Sequence, residues 1–147
     1  MGNKNIQLEF HPLALDTQPC ISVAEVDVHA GFPSPVDDAY MSQPIDLNKE
    51  LIKHPATSYL VRVIGDSMTE EGIDEGDLLV VDRSIYPSRN NVSVVMYKGE
   101  FALKRIVEKD GEIYLMPGNS NYKPIKVCNS AELRIFGVVM WVMKKKF

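Results

Sequence analysis

Two residues in this chain could do chemistry together: Ser67 and Lys104. Ser67 stands in Gly65-Asp66-Ser67-Met68, directly after the strand-forming run Tyr59-Leu60-Val61-Arg62-Val63-Ile64. A serine at a turn that closes a strand presents its hydroxyl on a rigid support. It also leaves nearby backbone N–H groups, those of Ser67 and Met68, placed to bind a developing oxyanion. By itself the signal is weak, because a serine after Gly-Asp is more often a turn residue or a helix cap. Lys104 lies inside the apolar run from Phe101 to Val107. Strand alternation puts it on the face of Ala102 and Ile106, with Phe101 and Leu103 on the other. A lysine drawn into apolar surroundings loses proton affinity, and its neutral amine can then take a proton from a serine hydroxyl. The plainer alternative is a strand-edge lysine that snorkels to water and blocks edge pairing.

A third feature is the small-residue bond Ala30-Gly31, followed by Phe32-Pro33-Ser34-Pro35. A bond of that kind in an extended segment can enter a narrow site, presented in cis at high effective concentration. Other nucleophile and ligand patterns are missing. The sequence has no Gly-x-Ser-x-Gly elbow, no Gly-x-x-x-x-Gly-Lys phosphate loop and no His-Glu-x-x-His zinc pair. His11, His29 and His54 all precede the strand-rich region, so a Ser/His/Asp triad would need a base from outside it. Cys20 and Cys128 have no metal-ligand spacing and read as small packing residues in a reducing compartment. Neither a metal nor a cofactor is expected.

The elements that must position these residues can be read in outline. Residues 1–30 read as an irregular arm and 31–45, with Pro33, Pro35 and Pro44, as a linker. A short helix is expected over Asp46–Ile52, capped by Asp46, with Leu47 and Leu51 on one face. Strands are expected at Tyr59–Ile64, Leu78–Val81, Val92–Tyr97, Phe101–Val107 and Glu112–Met116. The last, Leu133–Met143, is expected to bend at Gly137. Lys98-Gly99-Glu100 reads as a hairpin turn. Six strands with short turns make residues 46–147 a mostly β domain, a small barrel or folded sheet.

Bulk properties narrow the function classes. A net charge of −4 lacks the basic footprint that direct DNA binding needs. Ile6, Leu8 and Phe10 alternate with polar residues and then meet His11-Pro12, which does not read as a signal peptide. The apolar stretch Ile135–Met143 is too short to cross a bilayer, which takes about 20 residues. The expected location is the cytoplasm. The acidic stretch Glu70, Glu71, Asp74, Glu75 and Asp77 reads as a solvated loop, with contact to a partner as the alternative.

Taken together these motifs resemble the LexA/UmuD family of Ser/Lys self-cleaving peptidases. The match runs through Gly65-Asp66-Ser67-Met68, Gly76-Asp77-Leu78-Leu79-Val80-Val81-Asp82 and Gly99-Glu100-Phe101-Ala102-Leu103-Lys104-Arg105. It continues in Pro117-Gly118-Asn119-Ser120-Asn121-Tyr122 and Phe136-Gly137-Val138-Val139. Gly31-Phe32-Pro33-Ser34-Pro35 and His54-Pro55 are similar to the UmuD branch in particular. Only thirty residues precede Gly31, too few for the DNA-binding domain of a repressor. The resemblance implies a folded β-sheet domain of the LexA/signal-peptidase kind with an extended N-terminal arm. It implies Ser67 as nucleophile, Lys104 as base and Ala30-Gly31 as the bond cut. It further implies a homodimer, cleavage assisted by a RecA–single-stranded-DNA filament, and a UmuC-type error-prone DNA polymerase as partner in translesion synthesis. Three alternatives stay open: a polymerase-binding module with a vestigial site, a phage regulator on the same fold, and a signal peptidase, which would need a membrane anchor.

Overall fold

The computed structural model describes residues 7–13, 20–24, 41–65 and 68–147. In chain order the strands are β1 (Gln7–His11), β2 (Cys20–Ala24), β3 (Met41–Asp46), β4 (Ser58–Ile64) and β5 (Leu78–Asp82). They continue as β6 (Val92–Tyr97), β7 (Glu100–Lys109), β8 (Glu112–Met116), β9 (Ile125–Val127) and β10 (Leu133–Met143), with one α-helix, α1 (Leu47–Leu51). The chain divides into two compact units: one of Met1–Leu13 with His54–Phe147, the other of Ala14–Lys53.

The larger unit is an antiparallel sheet in the order β1-β4-β5-β10-β6-β7-β8-β9. Its inner face carries Val61, Val63, Leu79, Val81, Val94 and Leu103, joined by Met68 and Ile73 from the loop after β4. These positions recur with the period of two that puts alternate side chains on one face. Val80 and Val95, which alternate with them, are buried as well, so β5 and β6 are covered on both sides. Such double cover is what a sheet folded back on itself produces.

Two turns set the register around Lys104. Lys98-Gly99 joins β6 to β7 with φ of 51° and 80°, and Asp110-Gly111 joins β7 to β8 with φ of 53° and 75°. Paired positive φ angles are the mark of the tight turn whose twist matches that of the strands it connects. The bend expected in β10 is present at Gly137, where φ is 149°. A Cβ there would lie 2.7 Å from Val81 Cγ1 and 2.9 Å from the Asp82 carbonyl oxygen. The strand shifts register on either side of this point, pairing with β6 over Leu133–Val138 and with β5 over Val138–Met143.

Four strands were not expected from the sequence. β1 lies in the stretch read as an irregular arm, yet pairs with β4 from Gln7↔Ile64 to His11↔Leu60. Leu8 packs on the core, and the Phe10 ring sits 5.6 Å from Tyr59 and 4.7 Å from Phe101. The alternation of Leu8 and Phe10 was thus a strand signal, one that needs a distant partner to become a strand. β9 is three residues long and pairs only with β8. In the smaller unit β2 pairs with β3, including Ser22↔Pro44, across stretches read as arm and linker. The helix forms as expected, with the Asp46 carboxylate accepting from the Asn48 and Lys49 backbone N–H groups at 3.0 and 3.4 Å. It belongs to this smaller unit, which ends at Lys53. Ala30 and Gly31, between β2 and β3 in the chain, lie outside the described residues.

Candidate active site

Lys104 is an interior residue. β7 pairs with β6 along Val92–Tyr97 and with β8 from the next residue, Arg105, onward. Lys104 is 7% exposed and faces Ser93 directly across β6. Its Nζ lies 5.8 Å from the centre of the Tyr122 ring. Among the described residues no carboxylate forms an ion pair with it. Burial therefore holds the amine's pKa below the ordinary lysine value. The strand-edge, snorkelling alternative does not hold for this lysine.

Ser67 and Asp66 lie outside the described residues, but both flanks are described. Gly65, at the end of β4, is buried with φ of 110°. Met68 is fully buried in the core. A 3-10 turn, Thr69–Glu71, follows and ends at Gly72 with φ of 77°. This turn is fastened in two directions. The Gly118 N–H meets the Met68 sulfur at 3.1 Å, and the Glu70 N–H donates to the Gly118 carbonyl at 2.7 Å. From the other side the Arg105 guanidinium forks onto Glu71, Nε to Oε1 at 2.7 Å and Nη2 to Oε2. That fork holds the Glu71 carboxyl below the usual carboxylate range.

These contacts connect the two halves of the site. Arg105 is the neighbour of Lys104 on β7, and Glu71 comes four residues after Ser67. The Gly118 segment that holds Met68 also delivers Tyr122 to Lys104. Gly118 is required for the close approach, since a Cβ would come within 2.2 Å of Glu71 Cγ and 3.0 Å of Met68 Cε. Sequence reasoning had no role for Glu71, Arg105, Ser93 or Tyr122. The acidic stretch was read as solvated, whereas Glu71 binds Arg105, Glu70 accepts from Ser120 Oγ at 2.8 Å, and Asp74 and Asp77 share Lys144 at 2.7 and 2.5 Å. Opposite charges spaced 34 and 70 residues away cannot be paired by eye along a chain. Cys128, read as a packing residue, is exposed.

A second polar cluster joins β4 and β5. The His54 Nδ1 lies 2.5 Å from Asp82 Oδ2, while Thr57 Oγ1, Ser84 Oγ and the Ser84 N–H donate to Oδ1 at 2.8, 2.7 and 2.8 Å. Serine, histidine and aspartate are all present, but the geometry is not that of a triad. Ser84 Oγ approaches the same Nδ1 that Asp82 occupies, at 3.3 Å, whereas a nucleophile must meet the opposite ring nitrogen. Burial pushes the Asp82 pKa up, and the bonds from His54, Ser84 and Thr57 outweigh it, bringing it down to about 2. Among the described residues no three His, Cys, Asp or Glu side chains group as a metal-ligand set. None of their helices is long and apolar enough to cross a membrane.

Comparison with known proteins agrees with this architecture. The family described as Peptidase S24-like matches residues 20–140. The chain is 44% identical over 110 residues to protein SamA of Salmonella typhimurium, covering 75% of each chain. It is 35% identical over 116 residues to protein ImpA of Escherichia coli, covering 79% of this chain and 78% of the relative. It is 36% identical over 113 residues to protein MucA of the same organism, covering 76% of each.

Proposed function

This chain belongs to the S24-like peptidase family, and on that premise we propose that it is a self-cleaving serine peptidase of the SOS DNA-damage response, cut between Ala30 and Gly31. Lys104 takes the Ser67 hydroxyl proton as Ser67 Oγ attacks the Ala30 carbonyl carbon. The backbone N–H groups of Ser67 and Met68 receive the negative charge on the carbonyl oxygen. Collapse breaks the peptide bond, and the Lys104 ammonium returns the proton to the departing Gly31 amine. Water then releases Ala30 as a carboxylate, with Lys104 again accepting a proton and regenerating Ser67.

The observation that carries this reading is the burial of Lys104 without a carboxylate partner, in a strand fastened through Arg105 to the turn that follows Ser67. A peptidase family match and relatives resembling UmuD support the same chemistry. In this reading a RecA–single-stranded-DNA filament accelerates the cut. The shortened chain, Gly31 to Phe147, dimerises and serves as accessory subunit of a UmuC-type error-prone polymerase in the cytoplasm.

The test is intact mass against time at about pH 10, where lysine amines are largely neutral. Wild type should release a fragment ending at Ala30, and Ser67→Ala and Lys104→Ala should not. An unchanged wild-type mass, with activated RecA filament also present, would leave a binding module on a peptidase fold.

A further inference from the structure

Ser93 is a polar residue with no evident structural reason to be polar. It lies in Val92–Tyr97, in which Ser93, Val94 and Val95 are all buried. Its own exposure is 0%, and its hydroxyl has no hydrogen-bond partner among the described residues. A buried hydroxyl left unsatisfied is destabilising, and an apolar side chain at this position would avoid that loss. Ser93 is also the direct cross-strand partner of Lys104. Opposed residues on one face of an antiparallel pair have Cβ atoms only about 4.5–5.5 Å apart. An orphaned hydroxyl therefore stands directly across the ladder from a buried lysine that has no carboxylate partner among the described residues.

Resting on the Ser/Lys reading above, we propose that Ser93 is the positioning residue for Lys104, its hydroxyl holding the amine in the orientation that receives the Ser67 proton. A neutral amine has two N–H bonds and one lone pair. If Ser93 Oγ accepts one N–H, the lone pair's direction is constrained, and the hydroxyl is free to rotate to suit. When the proton arrives the amine becomes a three-donor ammonium, and the hydrogen bond to Ser93 becomes charge-assisted and stronger. The interaction thus grows as the reaction proceeds, which is what raises a rate rather than mere affinity. No Ser93–Lys104 hydrogen bond exists in the resting chain, and catalytic contacts of this kind tighten in the reacting complex. Among the described residues the Tyr122 ring lies near the Lys104 amine, and its chain neighbour Arg105, on the opposite face of β7, is already forked onto Glu71. On β6 itself the flanking residues Val92, Val94 and Val95 carry no charge.

The test uses the full chain with Ser93→Val and Ser93→Thr. Ser93→Val should melt near the wild-type temperature, the loss of an unsatisfied hydroxyl offsetting the one heavy atom added to a packed site. Its self-cleavage should nonetheless plateau about tenfold lower at high pH, the equivalent of one hydrogen bond of about 1.4 kcal/mol. The pH midpoint of cleavage should also fall, since the ammonium form loses its acceptor. Ser93→Thr should restore both. An NMR titration of the Lys104 side chain in a Ser67→Ala background reads the midpoint without any cleavage and should move the same way. Ser93→Ala replaces the valine variant if that one misfolds. A wild-type plateau and midpoint in Ser93→Val, with cleavage still dependent on Ser67 and Lys104, overturns the role of Ser93 alone. Absence of cleavage in wild type at every pH removes the peptidase reading and this role with it.

Discussion

Two ionisable side chains, Asp82 and Lys104, are almost equally hidden, at 3% and 7% exposure, and their surroundings treat them in opposite ways. Asp82 at the end of β5 receives hydrogen bonds from Thr57, from Ser84 twice and from His54. Those bonds favour its charged form and bring its pKa down to about 2. Lys104 in β7 has an aromatic ring and an unused serine hydroxyl for company, and burial favours its uncharged form. A fully satisfied charge holds two strands together. A buried amine with no carboxylate partner among the described residues is held toward its neutral form, and the fold bears the cost.

Lys104→Met should therefore give the largest change and split it in two directions. Self-cleavage should fall below detection, while stability at neutral pH rises by about 1 kcal/mol, as when a buried charge is replaced by an apolar group of similar size. The sign follows from linkage. A lysine whose pKa is lowered by folding binds more protons in the unfolded chain, so stability rises with pH between the folded and the ordinary lysine values. Methionine removes that dependence. Denaturant melts across the alkaline range, with cleavage followed by mass, check both halves. A less stable Lys104→Met would mean that the amine is satisfied after all.

Asp82→Ala should do the reverse, costing about 2 kcal/mol as the bonds from His54, Thr57 and Ser84 are lost, although these partly exposed groups can turn to water. Cleavage per folded molecule should be unchanged. In wild type the contribution of Asp82 is fully present above its unfolded pKa of 3.8 and disappears as pH falls toward about 2. The shift corresponds to about 2 kcal/mol. Melting midpoints measured from pH 5 down to pH 2 should fall steeply for wild type and less steeply for Asp82→Ala.

The same contrast explains what could be read from the sequence. Lys104 was legible because strand alternation in Phe101–Val107 places a charge on an apolar face, a violation visible within seven residues. The strands Val92–Tyr97, Glu112–Met116 and Leu133–Met143 were legible for the same local reason, and their turns carry Gly99 and Gly111 where positive φ is needed. The Asp82 cluster was not legible, because His54 and Asp82 are 28 residues apart and only the pairing of β4 with β5 brings them together. Glu71 and Arg105 were hidden behind 34 residues for the same reason. β1 and β3 depend on partners outside their own segments, so they looked irregular until paired.

Gly118→Ala tests the fastening between the site's two halves and should have an intermediate effect. The new methyl collides with Glu71 and Met68, which are held in place by Arg105 and the core. Overpacking of this kind costs about 1–3 kcal/mol. Cleavage should slow beyond what the lost stability explains, because the displaced turn begins next to Ser67. A variant destabilised to that extent but cleaving normally would show that the Gly118 segment supports the fold without supporting the site.

Ser84→Ala should have the smallest effect and the sharpest meaning. Asp82 keeps His54, Thr57 and the Ser84 backbone N–H, so one hydroxyl bond worth about 1 kcal/mol is lost. Self-cleavage should proceed at the wild-type rate, because Ser84 shares Nδ1 with Asp82 and no imidazole lone pair is aimed at its hydroxyl. Should Ser84→Ala stop cleavage while Ser67→Ala permits it, the roles of the two clusters would be exchanged, with His54 as the base and Lys104 as packing. Measuring both variants side by side at one pH decides between a structural histidine with a catalytic lysine and the converse.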